Sequence, residues 1–132
     1  MKLDKIKVVL GLMLPVVVCL SSCSYSSSDY TDDLGDDYLF VSESNANQII
    51  SGPNDTTFRG LIPCTVIAYE FDGKNIIAKQ KNNPECDDRN LTDTLISYWI
   101  IDKKKNISYG PLDSMSYIQK RQELSVSSSL NF

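Results

Sequence analysis

The stretch TVIAYEFDGKNIIAKQK, residues 65–81, narrows the folding options more than any other part of the chain. Two β-rich runs flank Asp72-Gly73, and glycine's tolerance of positive φ makes this a preferred pair for a tight turn between antiparallel strands. Ile67, Tyr69 and Phe71 alternate with Val66, Ala68 and Glu70, which predicts one large apolar face and one mixed face. After the turn Ile76 and Ala78 share one face, and Ile77 and Lys79 the other.

A second run, TLISYWIID (94–102), is apolar on both faces. Ile96, Tyr98 and Ile100 point one way and Leu95, Trp99 and Ile101 the other, as expected of a central strand covered on both sides. KKKN (103–106) turns it back into ISYG (107–110). Upstream, YLFV (38–41) begins a strand and NQIIS (47–51) returns after a polar turn at Glu43 to Ala46. SGPNDTTFRG (51–60) and NNPECDDRNLTD (82–93) read as loops from their Gly, Pro, Asn and Asp content. Asp113 is a good N-cap for a helix running to about Leu124, with Leu112, Met115, Ile118 and Leu124 as an incomplete apolar stripe. SVSSSLNF trails off behind it. The expected class is therefore α+β: an antiparallel β-meander of about six short strands with one C-terminal helix.

The amino terminus carries a different kind of information. Lys2, Lys5 and Lys7 precede an apolar run from Val8 to Leu20, thirteen residues broken by Gly11 and Pro15. Spanning a bilayer takes about 20 such residues, so this run is too short. A basic start, a short apolar stretch and small residues make a secretory signal peptide. Leu20-Ser21-Ser22-Cys23 resembles a bacterial lipobox, in which cleavage falls before the cysteine and its thiol takes a diacylglycerol through a thioether. Residues 1–22 are thus expected as a lipoprotein signal peptide, with Cys23 as the lipidation site. Residues 23–31 follow as a lipidated flexible tether and 32–132 as a small α+β domain. Two or three acyl chains, palmitate among them, add roughly 0.8 kcal/mol per buried CH₂, enough for stable attachment. Ser24, where an Asp would resemble inner-membrane retention, points to the outer membrane of a diderm cell envelope.

Without residues 1–22 the chain has 110 residues, ten Lys or Arg against sixteen Asp or Glu. From Ser24 to Phe58 there are seven acids and no base. Such a surface repels phosphate backbones, so no nucleic-acid partner is expected. The membrane, reached through the lipid on Cys23, is the expected contact, with an envelope protein or glycan as a further partner. Cys64 and Cys86 stand 22 positions apart. Export permits a disulfide between them, and two free thiols are the alternative. Glu85, Asp87 and Asp88 would raise the thiol pKa of Cys86, which argues against a reactive thiolate.

The sequence holds no His, the usual base of a hydrolytic triad. Lys79 or Lys81 could serve a Ser-Lys pair, but no nucleophile motif accompanies them. Glu70 and Asp72 are candidates for paired-carboxylate chemistry, though an acid beside an Asp-Gly turn is usually solvated. DYTDDLGDDY (29–38) packs five Asp, yet Gly35 is wrongly offset for an EF-hand loop, and a solvated acidic lead-in is the expectation. Lys103, Lys104 and Lys105 read as a solvated hairpin tip that discourages edge pairing. Thr56 and Thr94, each after an Asp, are candidate O-glycosylation acceptors of the Bacteroides type. No catalytic, cofactor-binding or metal-ligating residue is assigned, and no cofactor is expected.

The pieces DDLGDDYLF (32–40), NIIAKQ (75–80), YWIID (98–102) and YGPLDSMSYIQKRQELSV (109–126) together resemble a family of small bacterial lipoproteins. That family is known as a domain of unknown function, common in Bacteroides-like organisms and seen in some firmicutes. Its members usually carry acids early in the terminal helix, where this chain has Ser114, Met115 and Ser116. The resemblance implies the fold and an envelope location and brings no activity. The functional expectation is a lipid-anchored binding or structural module. The alternative is a small carboxylate- or metal-dependent hydrolase using acids from loops 82–93 and 29–37.

Overall fold

The computed structural model describes residues 29–56, 59–86 and 95–132. The expected signal peptide and lipidation site Cys23, together with Asp87, Asp88 and Thr94, lie outside the described residues. Seven strands and one helix follow in the order β1 (Tyr30–Asp33), β2 (Leu39–Ser42), β3 (Gln48–Ser51), β4 (Val66–Phe71), β5 (Asn75–Lys81), β6 (Ile96–Asp102), β7 (Ile107–Leu112) and α1 (Ser114–Glu123). The class is the expected α+β, all pairings antiparallel and sequential. The meander is divided into two sheets, β1-β2-β3 and β4-β5-β6-β7. The strand not foreseen is β1: Tyr30 and Thr31, expected as the end of a tether, pair with Ser42 and Val41.

The division is made at residues 60–65. Gly60 has φ +76, and a Cβ there would lie 3.0 Å from the Ile50 carbonyl, so glycine is required for the close approach. Ile62 then bridges to Ile50 at the outer edge of β3, through bonds of 3.0 and 3.1 Å. Pro63 has no N–H with which to continue that ladder. Two residues later Thr65 pairs instead with Lys81 of the other sheet.

The sheets pack face to face over a core of Leu34, Tyr38, Phe40, Ile50, Ile62, Val66, Ile76, Ala78, Trp99 and Ile101. A second core lies on the outer face of the larger sheet, where Ile77 and Ile100 meet Tyr117 and Leu130. β5 and β6, interior in that sheet, are covered on both faces, as the pattern of 94–102 predicts. Trp99 fixes the course of β7, because any Cβ at Gly110 would lie 2.4 Å from the indole ring.

Two expected faces are corrected. The register slips between Val66 and Ala68, so Ile67 is the extra residue of a β-bulge and is 47 % exposed. One inserted residue reverses the phase of the side chains, which puts Val66 and Tyr69 together on the core face. The helix has Asp113 as N-cap, its carboxylate accepting from the Ser116 amide at 2.7 Å. Tyr117 is its buried residue, while Met115 and Ile118, placed in the expected stripe, are exposed. Tyr117 stacks on Tyr98 at 4.8 Å, a larger apolar contact than an aliphatic side chain offers at that site. The last eight residues do not trail off. Arg121 donates to the Ser127 and Leu130 carbonyls at 3.0 and 2.8 Å and folds Leu130 onto the sheet.

Candidate functional site

The strand registers give the molecule two ends. At one, the Lys103 end, the chain turns sharply between β1 and β2. Asp33 accepts from the Gly35 amide at 2.9 Å, and Gly35, Asp36 and Asp37 all have positive φ. The Lys103 ammonium donates to the Leu34 carbonyl, stands 4.0 Å from the Asp36 carboxylate, and lies 5.5 Å above the Phe71 ring. Beside it the Tyr38 hydroxyl bonds the Asn106 side-chain carbonyl. Burial, then the charges of Asp102 and Asp36, raise the Tyr38 pKa above the usual phenol value.

Two expectations change here. Lys103 is buried, whereas Lys104 and Lys105 are the exposed part of the hairpin tip. The acidic lead-in is not merely solvated either, since Asp32 accepts the Tyr69 hydroxyl at 2.8 Å. Desolvation, reinforced by that carboxylate, raises the Tyr69 pKa strongly. A signal for Lys103 was present in the sequence: Trp99, Ile101 and Lys103 are spaced by two, the period of one strand face.

At the other end, the Tyr30 end, Thr65 donates to the Ala46 carbonyl at 2.6 Å and ties the β2–β3 turn to the start of β4. Cys64 and Cys86 are brought together with Cα atoms 5.6 Å apart, the separation a disulfide spans. Asn47, Ile49, Arg59, Cys64, Glu85 and Cys86 line a cleft of about 190 Å³. That is below the roughly 300 Å³ at which small-molecule sites begin, so it suits a single polar group or a short chain segment. Behind it Trp99 donates to the Gln80 carboxamide at 2.7 Å, which in turn donates to the Cys64 carbonyl at 3.3 Å. This buried polar link holds the cleft floor rigid and had no recognisable motif in the sequence.

The carboxylates weighed for catalysis separate. Asp72 accepts the Lys74 and Asn75 amides at 2.8 and 2.7 Å, closing its own turn. Its slight burial would raise its pKa, but those amides, with Lys103 and Lys74, bring it below the ordinary carboxylate range. Glu70 is exposed on the strand before it. Asp33, Asp36 and Asp37 sit at the Lys103 end and Glu85 at the Tyr30 end with Asp29, so the described acids of 29–37 and 82–93 are not gathered in one cluster. Among the described residues no group of three or more His, Cys, Asp or Glu is arranged to hold a metal ion. Thr56 is exposed in its loop.

No curated protein and no solved structure matches the chain. A family model described as "Protein of unknown function (DUF3997)" matches residues 35–132, from the turn beside Lys103 to the last residue. That span takes in β2 to β7, the helix and the tail that Arg121 secures, and the chain accordingly belongs to this family of proteins of unknown function.

Proposed function

We propose that the protein is a lipoprotein of the bacterial cell envelope, anchored through Cys23 at the outer membrane, in which the folded domain is a binding or structural module. The observation that carries the binding reading is the employment of four of the described acids in holding the fold. Asp32 accepts from Tyr69, Asp72 closes the hairpin, Asp102 accepts the Lys105 amide at 3.1 Å and Asp113 caps the helix. A hydrolase would need such groups converging in one cavity. The Leu20-Ser21-Ser22-Cys23 motif after a short apolar run supports the anchor. No described helix is long and apolar enough to cross a membrane. The cleft beside Cys64 and Cys86, with Arg59 and Glu85 among its lining residues, fits a short polar segment of an envelope protein or glycan.

Mass spectrometry of the mature amino terminus tests the anchor: acylated Cys23 is expected, and an unmodified terminus elsewhere refutes it. Crosslinking and affinity capture from the native envelope test the module. A specific partner lost with Arg59→Ala or Glu85→Ala supports it, whereas stoichiometric metal with turnover abolished by Asp87→Asn or Asp88→Asn overturns it.

A further inference from the structure

The register of the two sheets fixes which end of the domain lies nearest the anchor. Tyr30 is paired with Ser42, and the turn after Ser42 is bonded to Thr65. Val66 pairs with Gln80 and Gln80 with Ser97, so Leu95 emerges at this same end, its carbonyl accepting from the Asn82 amide. Leu112 pairs with Tyr98, and the helix begins two residues later, which brings Met115 to the same side. Tyr30, Leu95 and Met115 are 51 %, 80 % and 80 % exposed. Leu95 and Met115, from a strand lead-in and a helix start, therefore lie at the end where the chain enters the fold, while the Tyr30 ring packs on Phe40 and its hydroxyl turns to Tyr69.

The length of chain before Tyr30 says what covers them. Seven residue steps separate Cys23 from Tyr30. Fully extended they reach about 25 Å. β5 has seven residues, so the opposite end of the sheet lies about 20 Å farther away. For the Lys103 end to touch a bilayer holding Cys23, the tether would have to run almost straight along the whole domain. The Tyr30 end can touch it with that length to spare.

We propose that the Tyr30 end is a membrane-docking surface, with Leu95 and Met115 reaching the headgroup–acyl boundary of the bilayer that carries the Cys23 lipid. The proposal rests on the lipid anchor and adds an orientation to it. Aromatic and long aliphatic side chains suit that boundary. Asp29, Glu43, Glu85 and Asp113 are exposed at this end against Arg59 and Lys81, an acidic balance that favours zwitterionic over anionic headgroups. Exposed Lys104, Lys105 and Ile107 lie at the far end, turned away from the lipid. The cleft between Asn47 and Glu85 then opens close to the membrane, where a partner would have to be embedded or surface-bound.

The test uses the lipidated chain in phosphatidylethanolamine–phosphatidylcholine vesicles containing brominated lipid. Leu95→Trp, Met115→Trp and Ile107→Trp are compared by quenching, with buried Trp99 as a constant background. All three positions are exposed, and circular dichroism checks that each variant keeps the fold. Several-fold stronger quenching at 95 and 115 than at 107 is expected, unchanged when anionic lipid is added. Flotation with the vesicles but equal or stronger quenching at 107 overturns the orientation and leaves the anchor standing. Failure to float overturns both. A soluble Cys23→Ala form that dimerises and shields Met115 from oxidation would assign the surface to a second copy instead, and so would overturn the proposal.

Discussion

The two faces of the larger sheet are stabilised in different ways. Towards the smaller sheet, its side chains meet residues from Leu34 to Ile62, so that core joins the first half of the folded chain to the second. Towards the helix, Ile77 and Ile100 meet Tyr117 and Leu130, and the covering elements follow β7 directly in sequence. The first core forms only when distant segments assemble. The second is an annex added by the chain's last turn and tail. Cooperative unfolding should therefore reside in the sheet–sheet core, and local opening in the helix.

Trp99→Ala is the strongest way to break that comparison. It empties the centre of the sheet–sheet core and removes the donor to Gln80. A loss of about 3–5 kcal/mol is expected, read as a fall in denaturation midpoint at unchanged slope. If Tyr117→Ala costs as much and by the same global transition, the two faces do not differ.

Lys103→Met should come next, at about 1–3 kcal/mol, because it leaves the Leu34 carbonyl without its buried donor. Its signature would be faster amide exchange at both Leu34–Tyr38 and the β6–β7 turn. Exchange confined to one of them would show that the lysine does not join the sheets. Asp113→Ala is a smaller perturbation, the loss of one exposed N-cap. It should accelerate exchange in the first turn of α1 while the β5 and β6 amides keep their protection.

The smallest effects are those of pH, and the faces should respond at opposite extremes. Tyr38 and Tyr69 have raised pKa values, chiefly through burial, and sit at the sheet–sheet side. The unfolded phenols ionise near pH 10 while the folded ones hold their protons, so stability is complete below pH 10 and declines as pH rises beyond it. Tyr117 is raised by burial too, but the Arg121 hydrogen bond and charge pull it back. Asp113 is lowered, chiefly by the Ser116 amide. Its contribution is present above the ordinary carboxylate range and lost as pH falls through the folded value. Titrating exchange rates in α1 and β5 should show the helix loosening first in acid and the sheets first in alkali.

How much of this was legible depended on how local the cause was. The Asp72-Gly73 hairpin, the two-sided burial of β6 and the Asp113 cap each follow from neighbours within one turn or strand and each stands in the structure, although Gly73 does not take the positive φ expected of it and the Asp72 carboxylate closes the turn through the Lys74 and Asn75 amides. The bulge at Ile67 was hidden because alternation is counted from either end of a strand, and one extra residue leaves both halves apolar. The helix face was misplaced because Met115 and Ile118 are apolar by composition. Tyr117 won the interior by stacking on Tyr98, a partner in another element.

By itself, then, the sequence determined the α+β class, the antiparallel order and the helix start. Those depend on propensity, turn chemistry and period, which act between near neighbours. Only the tertiary structure decided that the meander splits after β3, that Lys103 is drawn inside, and that Cys64 lies within reach of Cys86. These outcomes turn on which distant surfaces exclude water together, and pairing of that kind is a property of the assembled chain rather than of any window within it.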